Sequence, residues 1–187
     1  VEGALKALEA GADGIVISRG DLSSEVAHEL LPIILKKIIR KCNLAGKPVI
    51  VGTQILSSMT RNKVPSRAEV ADVANLVLDG VDGISLTNVT TIGLYPTKAV
   101  KELSKIIKAT ELHAKEILSI NSTSLVNENV NGALDDAVAN AVIATAKDVK
   151  AKLIVAFSES GATAKRISKL RPDCPIASVS SDSSIRM

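Results

Sequence analysis

A short internal repeat restricts the fold of this chain more than any other feature. Gly11-Ala12-Asp13-Gly14-Ile15 recurs as Gly80-Val81-Asp82-Gly83-Ile84. Each copy follows a helical pattern, Glu2–Ala10 in the first case and Arg67–Asp79 in the second, and each leads into an apolar run, Ile15-Val16-Ile17 or Ile84-Ser85-Leu86. A glycine that ends a helix, a tight turn and a buried strand account for this order. Between the copies, Ala45-Gly46-Lys47-Pro48 leads into Val49-Ile50-Val51 with the same grammar.

The three strands start near residues 14, 48 and 83, a spacing of 34 and then 35 residues. One strand–helix–strand unit takes about 30 residues or more. A steady period of this kind predicts an α/β fold, here the last three units of a partial (βα)8 TIM barrel, whose full length is roughly 250 residues. An open doubly wound sheet is the alternative, and the even period favours the barrel. Three units cannot close a barrel, so the sheet edge needs further chain to cover it. The sequence starts at Val1 within a helical pattern, and the expectation is a truncated piece of a longer protein.

Composition agrees with this class. The 187 residues are 46% hydrophobic yet include only one Tyr and one Phe, so the core must be aliphatic. Such cores suit parallel sheets covered by helices. A net charge of +3 and the lack of aromatics argue against a nucleic-acid partner. No apolar run of about 18 residues suggests a membrane span. Two cysteines, Cys42 and Cys174, are read as free thiols in a reducing, cytoplasmic compartment. The glycosylation sequons at Asn88 and Asn121 are read as chance.

After a long helix over Pro96–Ile117 the pattern weakens, and residues 119–132 read as a linker between domains 1–118 and 133–187. The second domain shows a helix at Asp135–Val149, a strand at Leu153–Phe157, a helix at Gly161–Leu170 and a strand within Pro175–Ser180. It is read as the first part of a three-layer α/β domain.

Catalytic groups of a barrel sit at the C-terminal ends of its strands. Those ends carry Ser18-Arg19-Gly20-Asp21-Leu22, Gly52-Thr53-Gln54 and Thr87-Asn88. Asp21 suits a hard divalent cation. Amides around Gly20 can cradle a carboxylate or phosphate, and Thr53 can donate one hydrogen bond and accept two. A plain turn with an Asx-type hydrogen bond is the competing reading of Arg-Gly-Asp.

Longer motifs carry a resemblance. Asp13-Gly-Ile-Val-Ile-Ser-Arg-Gly-Asp-Leu22 resembles the pyruvate kinase strand that ends in Ala-Arg-Gly-Asp-Leu-Gly. Ala45-Gly-Lys-Pro-Val-Ile-Val-Gly-Thr-Gln-Ile-Leu-Ser-Ser-Met59 and Pro65-Ser-Arg-Ala-Glu-Val-Ala-Asp-Val-Ala-Asn75 are similar to further motifs of that family, as are Leu78-Asp-Gly80 and Tyr95-Pro96. In the second domain Ala151-Lys-Leu-Ile-Val155, Ser160-Gly161 and Lys169-Leu-Arg-Pro-Asp-Cys-Pro-Ile176 fit its C-terminal domain.

The resemblance implies phosphoryl transfer from phosphoenolpyruvate to ADP, giving pyruvate and ATP. It implies Mg2+ or Mn2+ on Asp21, and substrate carboxylate held by the amides of Arg19 and Gly20. Thr53 would contact the substrate and help place the group that protonates the enolate. The K+ ligands, the transition-state lysine and most ADP contacts would lie upstream of Val1, leaving this piece inactive alone. A homotetramer is implied, and Ser158, Ser160, Gly161 and Thr163 would hold a sugar-phosphate effector, with an ordinary helix cap as the simpler reading of that loop.

The chain departs from the family at Ser23, where the Gly after Arg-Gly-Asp-Leu would stand, at Ser57, where the Glu of Thr-Gln-Met-Leu-Glu would stand, and in one segment: Ser-Gly-Glu-Thr-Ala-Lys-Gly is Thr87-Asn-Val-Thr-Thr-Ile-Gly93 here, so a Glu and a Lys become Val89 and Ile92. The departure leaves open a catalytically impaired paralogue acting as a regulatory or binding subunit. A third reading is another barrel enzyme with a phosphoenol or aldol substrate.

Overall fold

A computed structural model describes residues 2–121 and 134–181. It divides into two separately packed units, residues 1–122 and 123–187. In the first, helix α1 (Glu2–Glu9) leads to strand β1 (Ile15–Ser18), the short helix α2 (Arg19–Glu25) and helix α3 (Leu31–Ala45). Strand β2 (Val49–Gly52), helix α4 (Arg67–Asp79), strand β3 (Gly83–Ser85), the one-turn helix α5 (Asn88–Thr91) and the long helix α6 (Pro96–Asn121) follow. All three strands are parallel in the order β1-β2-β3, with Ile17 opposite Val51 and Val51 opposite Ile84. The expected strand starts are thus met to within a residue.

Local chemistry explains the boundaries. Helices α3 and α4 both end where a glycine turns left-handed, Gly46 at φ 64° and Gly80 at φ 85°. This conformation costs glycine nothing and lets the chain reverse into the next strand. The repeat aspartate has a structural task. Asp82 accepts the Val49 amide through Oδ2 at 2.9 Å, and its own amide donates to the Val49 carbonyl at 2.9 Å. That exchange sets where β3 starts beside β2. Helix α4 opens with a capping box: Ser66 Oγ accepts the Glu69 amide, and the Glu69 carboxylate accepts the Ser66 amide.

Burial follows the strand alternation. Val49 and Val51 are fully buried and pack with Ile39, Cys42, Val73 and Leu76 of α3 and α4. Their neighbours Val16 and Ile50, paired across β1 and β2, lie on the other sheet face and are 71% and 38% exposed. One face is therefore closed by helices, and the other is not closed by any of the described residues. Burial raises the Cys42 thiol pKa, and the nearby Asp82 carboxylate adds to the rise. Both cysteines are free.

Helix α6 runs to Asn121, three residues into the stretch assigned to the linker. No Gly or Pro lies between Thr97 and Asn121 to stop it. The rest of the linker, 122–132, lies outside the described residues, as does residue 133. The second unit has helix α7 (Leu134–Asp148), strand β4 (Ile154–Phe157), helix α8 (Ala162–Lys169) and strand β5 (Ile176–Val179). Strands β4 and β5 pair in parallel, Ile154 opposite Ile176. Ile154 and Ala156 face a small core with Ala139 of α7 and Ile167 of α8, while Val155 and Phe157 are 49% and 77% exposed. No described helix is long and apolar enough to cross a membrane.

Candidate active site

The ends of β1 and β2 are tied together at one spot. The Gly20 amide donates to Thr53 Oγ1 at 2.8 Å, across a sequence gap of 33 residues. Asp21 is the next residue, in the first turn of α2, and its side chain is exposed. Gly20 and Thr53 thus meet at the same end of the parallel sheet, joined by a direct hydrogen bond. Because Thr53 Oγ1 accepts this bond, its own proton stays available for a substrate atom.

Arg19 fastens the same corner from beneath. Its residue exposure is only 7%, and its guanidinium uses three nitrogens. Nη1 donates to both oxygens of Asp72 at 2.8 Å. Nε and Nη2 donate to the Thr53 carbonyl at 3.2 and 3.1 Å, and Nη2 also reaches the Gln54 carbonyl at 3.0 Å. A planar fork of fixed donors suits this task, which an ammonium could not fill. The family resemblance assigns a role only to the Arg19 backbone amide. The side-chain role was hidden because its partner Asp72 lies 53 positions away.

The fan of donors stabilises an unusual turn. Thr53, Gln54 and Leu56 all have positive φ, at 62°, 57° and 51°. Each such residue costs on the order of 1 kcal/mol or more and persists only where surroundings enforce it. Leu56 is fully buried, which pins the turn from inside. Its far end is held by Glu69, whose carboxylate accepts the Ser58 amide at 2.7 Å and the Ser58 and Ser66 hydroxyls. Burial is the largest single influence on Glu69 and pushes its pKa up. The hydrogen bonds from Ser58 and Ser66 together outweigh it, so the carboxyl titrates below the ordinary glutamate range. The pattern Ser66-x-x-Glu69 before an apolar run was the available sequence signal for this cap.

At the third strand end, Thr87 precedes α5, where Thr90 Oγ1 donates to the Thr87 carbonyl at 2.9 Å. Val89 is 2% exposed and belongs to the hydrophobic core, whereas Ile92 is 70% exposed. Gly93 lies so close to the helix backbone that a Cβ would sit 2.2 Å from the Val89 carbonyl oxygen. A metal would find few ligands here: among the described residues no group of three or more His, Cys, Asp or Glu is placed to hold one. Asp21 is a single exposed carboxylate, so a cation held on it needs further oxygen ligands from outside the described residues.

In the second unit, Ser158 follows β4, with its amide bonded to the Val179 carbonyl at 3.0 Å. Ser160 and Thr163 are exposed, and Gly161 is buried at the position that precedes α8, with φ 75°. The N-cap of α8 is thus a residue with no side chain, so no Ser or Thr hydroxyl caps the helix from that position. Ser180 Oγ donates to the Glu159 carbonyl at 3.2 Å and ties the loop to the end of β5.

Comparison with known proteins gives the family of the chain. The family described as pyruvate kinase, barrel domain, matches residues 4–100, and the pyruvate kinase alpha/beta domain matches residues 136–186. A pyruvate kinase of Sporosarcina psychrophila is 44% identical over 170 residues, which is 91% of this chain and 28% of the relative. One from Dictyostelium discoideum is 42% identical over 172 residues, 91% of this chain and 34% of the relative. A crystal structure of a pyruvate kinase from Cryptosporidium parvum matches with a TM-score of 0.78 at 36% identity, covering 98% of this chain and 37% of that one. A Cryptosporidium parvum pyruvate kinase in complex with ADP matches with a TM-score of 0.74, also at 36% identity, covering 99% of this chain and 37% of that one. The chain spans about a third of the length of these relatives. With a barrel-domain match, an alpha/beta-domain match and parallel sheets in both units, the chain belongs to the pyruvate kinase family of phosphotransferases.

Proposed function

We propose that this chain contributes the Asp21–Gly20–Thr53 corner, within the last three units of a catalytic barrel, to an enzyme that transfers a phosphoryl group from phosphoenolpyruvate to ADP. The observation that carries the reading is the 2.8 Å hydrogen bond from the Gly20 amide to Thr53 Oγ1, which brings a half-buried hydroxyl to the residue that precedes the exposed Asp21. Asp21 would provide one oxygen ligand for Mg2+ or Mn2+, and the bound cation would neutralise charge that develops on the transferring group. The amides of Arg19 and Gly20, at the start of α2, would take the substrate carboxylate. For Gly20 this means exchanging its bond to Thr53 for one to the substrate, which releases the hydroxyl toward the enolate.

Once the phosphoryl group has left, an enolate remains and its C3 must gain a proton to become pyruvate. Thr53 would position the donor of that proton. General acid–base help of this kind contributes about 10²–10⁴-fold. The left-handed turn and the Arg19 fork, which holds the Thr53 and Gln54 carbonyls, keep the backbone that carries the hydroxyl fixed during the reaction. The ligands for K+, most ADP contacts and the rest of the catalytic set belong to residues outside this chain, and the piece alone should be inactive. The same reading has the whole enzyme as a cytoplasmic homotetramer with Mg2+-dependent activity.

The departure at Val89 and Ile92 leaves the Gly20–Thr53 bond and the Arg19 fork intact, and this supports an active enzyme over a purely regulatory subunit. In the second unit, the loop Ser158, Ser160, Gly161 and Thr163 would hold a sugar phosphate on the first amides of α8.

The test is a coupled assay of the full-length protein. Mg2+-dependent pyruvate formation, lost by about 10²-fold or more in Asp21→Asn, is the expected result. Normal turnover in that variant removes the metal role.

A further inference from the structure

We propose that Glu69 is a positioning residue for Thr53, acting as the rear half of a clamp that α4 closes on the turn after β2. The inference rests on the reading of Thr53 given above and deepens it.

The turn from Thr53 to Ser58 is gripped at both ends by one helix. At its front, Asp72 holds Arg19, which in turn holds the Thr53 and Gln54 carbonyls. At its rear, Glu69 takes the Ser58 amide and hydroxyl. Glu69 and Asp72 are three residues apart on α4, so they lie on the same helix face. Between these two grips sit the three left-handed residues, Thr53, Gln54 and Leu56. Such a conformation relaxes when its restraints are removed. The first atom to move with consequence is Thr53 Oγ1, which meets the Gly20 amide.

The chemistry of the carboxylate is specific to this job. One oxygen accepts the Ser58 amide, and the other accepts the Ser66 amide at 2.8 Å together with two hydroxyls. Both oxygens must therefore be acceptors. In Glu69→Gln one of them becomes an NH2, which would face an amide donor with another donor, at Ser58 or at Ser66. The side chain keeps its size and loses only its acceptor pattern.

The experiment compares Glu69→Gln and Ser58→Ala with Val73→Ala in the full-length protein. Val73 is fully buried on α4 and touches neither loop through a polar atom, so it reports plain loss of packing. Three quantities are measured: melting temperature, hydrogen exchange of the peptide that holds the Gly20 amide, and kcat and KM for phosphoenolpyruvate. In Glu69→Gln, exchange at Gly20 is expected to rise and kcat to fall by about tenfold or more, with KM within about twofold. Ser58→Ala should move both in the same direction by less, and Val73→Ala should lower the melting temperature while leaving both near wild type. Wild-type exchange at Gly20 and wild-type kcat in both clamp variants would overturn the proposal, as would equal changes in Val73→Ala. If the wild-type protein forms no pyruvate, the proposed function fails, while exchange at Gly20 still reads the clamp directly.

Discussion

Arg19 and Asp72 stand 53 residues apart and meet as a forked ion pair, with one guanidinium nitrogen 2.8 Å from each carboxylate oxygen. The Arg19 side chain is 9% exposed and that of Asp72 37%. Removal of one partner from a buried pair costs roughly 3–5 kcal/mol, because the other charge is left uncompensated. Water reaches part of Asp72 and reduces this figure, so Asp72→Asn is expected to cost about 2 kcal/mol. The urea midpoint of the full-length protein checks it. Arg19→Lys should lose as much, since an ammonium cannot serve Asp72 and two carbonyls at once.

Glu69 makes stability depend on pH in a defined direction. Its folded pKa lies below the ordinary glutamate value, which is about 4.3 in an unfolded chain. A depressed carboxyl contributes fully above the unfolded value and loses that contribution as pH falls through the folded one. The stability gap between wild type and Glu69→Gln should therefore be constant near neutral pH and shrink below about pH 4.3. Urea unfolding of both proteins across that range measures the gap.

Gly93 has no room for a side chain. A Cβ there would lie 2.2 Å from the Val89 carbonyl oxygen, a backbone atom that cannot swing aside. Gly93→Ala must shift α5 or the following loop, where the Leu94 amide donates to the Thr60 carbonyl at 2.9 Å. A cost of about 2–4 kcal/mol is expected, at the high end for single substitutions. Thermal melting of the variant tests it.

Much of the scaffold was legible in the sequence because its signals are local. Gly46 and Gly80 mark helix ends, and apolar triplets such as Val49-Ile50-Val51 mark the strands behind them. The positions of Asp21, Gly20 and Thr53 at strand ends followed from the same period. The side chains that enforce the site were not legible. Nothing near Arg19 in sequence points to Asp72, and nothing in Thr53-Gln-Ile-Leu56 announces a left-handed turn. Threonine and leucine avoid that region on their own, and only the tertiary restraints hold them there. Helix α6 overran its expected end for the opposite reason: no residue stops it before Asn121.

The hydroxyl of Thr53 is held by the amide of Gly20, the residue before Asp21, and the proposed chemistry turns on it. Thr53→Val removes that hydroxyl and keeps the shape of the side chain. The decisive measurement is kcat for pyruvate formation by the full-length variant, with KM for phosphoenolpyruvate read alongside. A fall in kcat of about 10²-fold with KM within about threefold is the predicted result. A variant that turns over at the wild-type rate would contradict the placement of Thr53 at the reacting centre.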